Sequence, residues 1–195
     1  MSRFGEVRFL ISAAAPAQFP ADVGAEIAFV GRSNAGKSSA INAIVQRQGL
    51  ARTSKTPGRT RLLNFFELAP LKRLIDLPGY GYANVPAEER RAWPPLIEAL
   101  RVRASLRGLF VIVDSRRGLT AGDEGLLDWA QATHRVHVLL TKADKLNRSE
   151  ASSALRSASQ FLSGRASAQL FSALRGTGVR EAQDTLESWL GQGQQ

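Results

Sequence analysis

The chain contains no cysteine at all. Disulfides, thiolate catalysis and cysteine-held zinc are thereby excluded, and a cytoplasmic location is the expectation. Histidine is nearly as scarce. His134 and His137 flank the start of one apolar run, with no cysteine or third histidine near them, so metal ligation by them is not expected. Long hydrophobic runs are missing too. Residues 9–15 (FLISAAA) follow Glu6 and Arg8 and are too short for a signal peptide, so they are read as a strand or arm leading into the domain. No run has the length that crosses a bilayer, and no membrane partner is expected. Acidic residues are in deficit: 17 stand against 26 Lys and Arg, a formal charge of +9. Such an excess favours an anionic partner, with nucleic acid ahead of an acidic membrane surface.

What is present is an alternation of two periodicities. The 195 residues are enough for one core. Apolar runs at 26–30, 62–68, 73–76, 109–114, 136–141 and 168–171 predict strands, and helical spacing appears at 37–46, 87–104, 122–133, 149–162 and 179–190. The turn at Ala69 and Pro70 is too short for a crossover, so the strands on either side of it pair antiparallel. Elsewhere strand and helix alternate, which predicts a mainly parallel sheet with helices on both faces. The fold class is therefore α/β: three layers, six strands, one of them antiparallel. Val179, Ala182, Leu186, Trp189 and Leu190 share one face of the last helix and read as core, as do Trp93 and Trp129. Residues 1–23 form a lead-in, 24–191 the domain, and 192–195 a frayed tail.

Four short motifs fall at predicted strand ends, where ligands bind on sheets of this kind. Gly31, Arg32, Ser33, Asn34, Ala35, Gly36, Lys37 and Ser38 match G-x-x-x-x-G-K-[ST] between a strand and a helix, and Ser39 follows. Backbone N–H groups of such a loop curl around phosphates. Lys37 would reach the β- and γ-phosphates, and the Ser38 hydroxyl would bind Mg²⁺. Asp76, Leu77, Pro78 and Gly79 follow the next buried strand, where a carboxylate for magnesium is needed and a glycine amide can approach a γ-phosphate. Thr141, Lys142, Ala143 and Asp144 come next. The Asp144 carboxylate can accept from guanine N1–H and its exocyclic amine, which adenine cannot match, and the Lys142 stem can lie along the base. Phe171, Ser172 and Ala173 can offer a backbone N–H to guanine O6. Taken in order, the four motifs describe a GTP-binding domain.

In many GTPases a Gln after the D-x-x-G orients the attacking water. Here that position is Tyr80. A phenol with a pKa of about 10 is a poor base at neutral pH, so water is expected to be positioned by backbone and ions.

GRSNAGKSS, TSKTPGRTRLLNFF, DLPGYGYA, LTKADKL and FSALRGTGV together resemble the EngB (YsxC/YihA) ribosome-biogenesis GTPases over nearly the whole chain. The resemblance implies a P-loop NTPase G domain, GTP or GDP with Mg²⁺, and a slow GTPase. It further implies a monomeric cytoplasmic switch in assembly of the large ribosomal subunit, needed for cell division and septation, with rRNA and ribosomal proteins as partners. It also implies that Gly58, Arg59, Thr60, Arg61 and Leu62 belong to a first switch, with Thr60 as a second hydroxyl on Mg²⁺; Thr53 and Thr56 stand upstream as alternatives. In related GTPases without the Gln, an asparagine at the Asn34 position helps hold K⁺. On these implications the catalytic set is Lys37, Thr60, Gly79 and Asn34, and the metal set Ser38, Thr60 and Asp76. Thr141 replaces the usual asparagine of the base motif, and its shorter side chain is expected to weaken the brace to the P-loop.

Residues 27–66 contain no Asp or Glu but hold Arg32, Lys37, Arg47, Arg52, Lys55, Arg59 and Arg61, a distribution suited to RNA phosphates beside the first switch. Arg90, Arg91, Arg101, Arg103 and Arg107, near Glu88, Glu89 and Glu98, read as a solvated face. Two further functions compete with the GTPase. One is a nucleotide-gated ribosome-binding module with little hydrolysis. The other is a P-loop ATPase or nucleotide kinase, which TKAD disfavours.

Overall fold

The computed structural model describes residues 3–51, 62–80, 95–131 and 134–191. Strands β1 (Arg8–Ala13), β2 (Ala25–Gly31), β3 (Leu63–Ala69), β4 (Lys72–Asp76), β5 (Leu106–Asp114), β6 (Arg135–Thr141) and β7 (Ser167–Leu170) form one sheet in the order β1-β3-β4-β2-β5-β6-β7. Helices are α1 (Lys37–Ile44), α2 (95–101), α3 (Ala121–Gln131), α4 (Arg148–Leu162) and α5 (Val179–Gly191). Of the helix predicted over 87–104, residues 87–94 lie outside the described residues, as does Trp93.

β2 is buried at all seven positions, as a central parallel strand must be. Its side chains alternate between two cores. Ile27 and Phe29 join Ile41 and Ile44 of α1 and Leu186 and Trp189 of α5. Ala28 and Val30 join Leu100 of α2, Leu127 of α3 and Leu162 of α4. Phe29 stacks on Phe110 with centroids 4.9 Å apart, and Trp189 lies 5.2 Å from the same ring. Fully burying Leu186 alone contributes roughly 1.5–3 kcal/mol.

Two expectations change. Among the described residues the sheet has seven strands, not six, because the lead-in supplies β1 antiparallel to β3. β3, which opposes both β1 and β4, is the one reversed strand. The second change concerns Arg103, which is no part of a solvated face. It is buried beside Glu26 with its guanidinium 5.5 Å from the Phe19 ring centroid, whereas Arg101 does pair on the surface with Glu98. Among the described residues no helix is long and apolar enough to cross a membrane.

Candidate nucleotide site

Parallel strands β2, β4, β5, β6 and β7 deliver their following loops to one end of the sheet. The loop after β2 turns through left-handed backbone at Asn34 (φ 63°) and Gly36 (φ 95°), and α1 begins at Lys37. The N-cap residue of α1, Gly36, has no side chain to cap the helix, so the first turn faces the loop with backbone N–H groups of the kind that bind anions. Across the loop, the Lys37 ammonium touches the Asp76 carboxylate at the end of β4. Burial pushes the Asp76 carboxyl up, and Lys37 opposes that shift.

Beyond Asp76 the chain keeps following β2. Leu77 N–H donates to Phe29 O (3.0 Å), Tyr80 N–H to Gly31 O (3.2 Å), and Ser33 N–H to Tyr80 O (3.0 Å). Gly79 is thereby pressed against the P-loop. A Cβ there would stand 2.9 Å from Ser33 Oγ and 3.1 Å from Ser33 Cα, which only glycine avoids.

The base motif is braced to the P-loop twice. Thr141 Oγ1 donates to Ala35 O, and also lies 3.0 Å from Val113 O. Lys142 Nζ donates to Asn34 O at 2.7 Å and Asp114 Oδ2 at 2.9 Å. The Thr141 brace is thus formed despite the missing amide. A hydroxyl suffices because the base loop and P-loop approach closely: a Cβ on Gly36 would stand 3.5 Å from Thr141 Oγ1. Asp144 lies in a 3-10 turn (Ala143–Lys145), and its Oδ1 accepts from Ser172 Oγ at 2.6 Å. That bond holds its carboxyl below the usual range. Ala143 N–H donates to Phe171 O (3.1 Å), joining the third and fourth motifs. Phe171 and Ser172 spend their amides on Leu140 O and Thr177 O.

The first three motifs and Phe171 to Ala173 therefore converge at one end of the sheet. Leu62 lies next to β3. Thr53, Thr56, Gly58, Arg59, Thr60 and Arg61 lie outside the described residues. Sequence reasoning missed Asp114 and Asp123. Asp114 ends a buried strand just as Asp76 does, which was the available signal. It accepts from Arg116 Nε (2.9 Å), Arg116 Nη2 (2.6 Å) and Lys142, and the Arg116 bonds hold its carboxyl far below the usual range. Asp123 had no comparable signal: it lies in the first turn of α3, where acidic residues are common.

Magnesium is the metal this class of site implies, and the donor set suits it. A hydroxyl (Ser38) and a carboxylate (Asp76) are hard oxygen ligands of the kind that complete a shell begun by phosphates. Among the described residues no group of three His, Cys, Asp or Glu could cage a metal unaided.

A family model described as "50S ribosome-binding GTPase" matches residues 26–142. A probable GTP-binding protein EngB of Azoarcus sp. (strain BH72) is 50% identical over 97% of this chain and 94% of its own length. The chain belongs to the EngB family. Another relative, from Methylococcus capsulatus (strain ATCC 33009 / NCIMB 11132 / Bath), is 49% identical over 94% of this chain and 90% of its own. A crystal structure of a probable GTP-binding protein EngB superposes with a TM-score of 0.66 at 22% identity, covering 86% of this chain and 99% of that one, which supports the shared fold. Membership makes this EngB-family chain a GTP-binding protein of the GTPase class, with GTP and GDP as ligands.

Proposed function

We propose that this EngB-family protein is a slow Mg²⁺-dependent GTPase that serves as a nucleotide switch in assembly of the large ribosomal subunit, and through it in cell division. The observation that carries the nucleotide half is the convergence of the P-loop, Asp76 to Gly79, Thr141 to Asp144 and Phe171 to Ala173 at the carboxyl ends of parallel strands. In this reading Gly31 to Ser39 cradle the phosphates and Lys37 contacts the β- and γ-phosphates. Gly79 gives its N–H to the γ-phosphate. Asp144 and Ala173 read the guanine edge; the Ala173 amide has no protein partner among the described residues. Ser38, Asp76 and Thr60 would hold Mg²⁺. When bound, that ion neutralises charge on the phosphate oxygens as it develops.

The Tyr80 phenol donates to a carboxylate and is unsuited to act as a base. Attacking water is therefore left to backbone groups, with Asn34 as the candidate for holding K⁺. Equal turnover in K⁺ and Na⁺ would remove Asn34 from the catalytic set.

The ribosomal half draws on the description of the matching family model and on charge. Around the guanine end, Arg116, Arg117, Lys145 and Arg175 are exposed on the loops after β5, β6 and β7, Arg148 is exposed at the start of α4, and Arg32 is exposed in the P-loop. Cosedimentation of the protein with ribosomal subunits, in GTP and in GDP, at several salt concentrations tests the switch. Binding should be tighter with GTP and weaken steeply as salt rises. Equal binding in both nucleotides would refute it. A nucleotide-gated binding module with little hydrolysis is the second reading, favoured by the absence of a water-orienting side chain at position 80. Phosphate release measured with and without large subunits separates the two: no turnover in either condition would leave only the binding module.

A further inference from the structure

The residue that replaces the water-orienting Gln is held at three points. Its backbone N–H and carbonyl are bonded to Gly31 and Ser33 of the P-loop, at 3.2 and 3.0 Å. Its phenol reaches in another direction and donates to Asp123 Oδ1 at 2.5 Å. Asp123 is 1% exposed. Its other oxygen, Oδ2, accepts from Thr120 N–H and Thr120 Oγ1, both at 2.8 Å, and its own N–H donates to Thr120 O at 2.8 Å. Asp123 is thus built into the first turn of α3, and among the described residues its acceptor bonds come from neutral donors. The phenol is a donor in this arrangement. Burial, with the Asp123 bond and charge added, pushes its ionisation far above the usual range.

The geometry points to Tyr80 and Asp123 as a positioning pair that fixes Gly79 against the P-loop, so that its amide is set for the γ-phosphate before GTP binds. Gly79 precedes Tyr80 directly and packs on Ser33, so anchoring residue 80 to both the P-loop and α3 restricts the peptide whose N–H the third phosphate would take. Ser33 Oγ, buried and without a hydrogen-bond partner among the described residues, lies in the same contact. An amide ordered in advance spares the cost of ordering it on binding, which strengthens the interaction with the ligand that uses it. GDP has no γ-phosphate and cannot benefit. The pair therefore serves discrimination between nucleotide states and the rate of hydrolysis, not nucleotide affinity in general. The inference rests on Gly79 contacting the γ-phosphate, as proposed above, but does not require that turnover be observed.

The test is a double-mutant cycle with Tyr80→Phe, Asp123→Ala and the two combined. Affinities for GDP and for a β,γ-imido GTP analogue would be measured by equilibrium titration, with single-turnover phosphate release alongside. Removing one hydrogen bond predicts a loss of about three- to ten-fold in analogue affinity for Tyr80→Phe, with GDP affinity retained. Single-turnover release should slow in parallel, and the double variant should lose no more than Asp123→Ala. Equal losses for both nucleotides would show a merely structural role, and either no loss or additive losses would also overturn the pair. Should Asp123→Ala fail to fold, Tyr80→Phe still decides through the analogue-to-GDP ratio. No phosphate release from the unaltered chain, alone or with large subunits, would count against the GTPase reading, while the binding ratio would still judge the pair.

Discussion

At the scale of single residues, Asp144 shows how a weak motif becomes specific. A Lys-x-Asp triplet is common by chance, but here the carboxylate is held from one side by the Ser172 hydroxyl, which also accepts from Arg175 N–H at 3.1 Å. The remaining acceptor capacity of Asp144 can meet the two guanine donors. Asp144→Asn should therefore move preference from guanine to xanthine nucleotides, because an amide can donate to the xanthine carbonyl that replaces the guanine amine. The Asn oxygen can still accept from Ser172, so folding should survive. Competition of GTP and XTP for the variant checks this; undiminished guanine preference would remove Asp144 from the base site. The placing of Asp144 and Lys37 at one end of the sheet was legible in the sequence because it follows from the order of strands and motifs. Arg103 was not, because its neighbours along the chain are solvated while its partner Glu26 is 77 positions away. That the Thr141 brace forms at all was hidden for a related reason: the length of a side chain says nothing about how near its partner lies.

At the scale of elements, the alternation of strand and helix predicted most of the sheet, but the edges were read less well. The sequence of β1 suits a strand or an arm equally because an edge strand shows little burial; Phe9 is 54% exposed. The opposite edge, β6 with β7, carries His137, whose ring is held with defined polarity. Gln169 Nε2 donates to Gly178 O at 2.8 Å, so its Oε1 faces His137 Nε2 (2.9 Å) as an acceptor. His137 Nε2 is then the donor, and Nδ1 accepts from Ser167 Oγ at 2.6 Å in the neutral ring. Burial lowers the pKa of His137 in the fold, opposed by the Gln169 bond. The unfolded ring, at about 6.5, takes a proton first as pH falls. Its contribution is thus complete above about pH 6.5 and is lost as pH drops toward the lower folded value. His134, also lowered by burial, adds to the same slope. In urea unfolding, stability should fall between pH 7 and pH 5.5. His137→Gln, less stable at pH 7.5, should fall less steeply. Identical slopes would mean that His137 does not control this edge.

At the scale of the whole molecule, the pole opposite the nucleotide is organised around one fully buried carboxylate. Glu26 accepts from Arg103 Nε (2.7 Å) and Nη2 (2.9 Å) and from Ser105 Oγ (2.8 Å). Arg73 Nε lies 2.9 Å from Glu26 Oε1 in ion-pair contact, without hydrogen-bond alignment. The same two guanidiniums hold the lead-in. Arg103 Nη2 donates to Pro20 O and Ala21 O, and Arg73 Nη2 to Ala21 O and Val23 O. Asp22 accepts from the amides of Ala104 and Ser105 at 3.0 and 2.9 Å. One carboxylate thereby joins the lead-in, β2, β4 and the approach to β5. Glu26→Ala would leave two buried cations without their counter-ion, which costs about 3–5 kcal/mol where such a pair is broken from one side. Glu26→Gln keeps an acceptor and should cost less. Glu26 lies near the start of the strand that ends at the P-loop, so stability and function can be separated here. Folded protein of either variant should retain nucleotide affinity, because the β2 ladder continues unbroken from Ile27 to Gly31. Urea unfolding beside a nucleotide titration decides it. A loss under about 1 kcal/mol for Glu26→Ala would demote the cluster to surface-like pairing. A fall in affinity among folded molecules would mean that the two poles are coupled through β2.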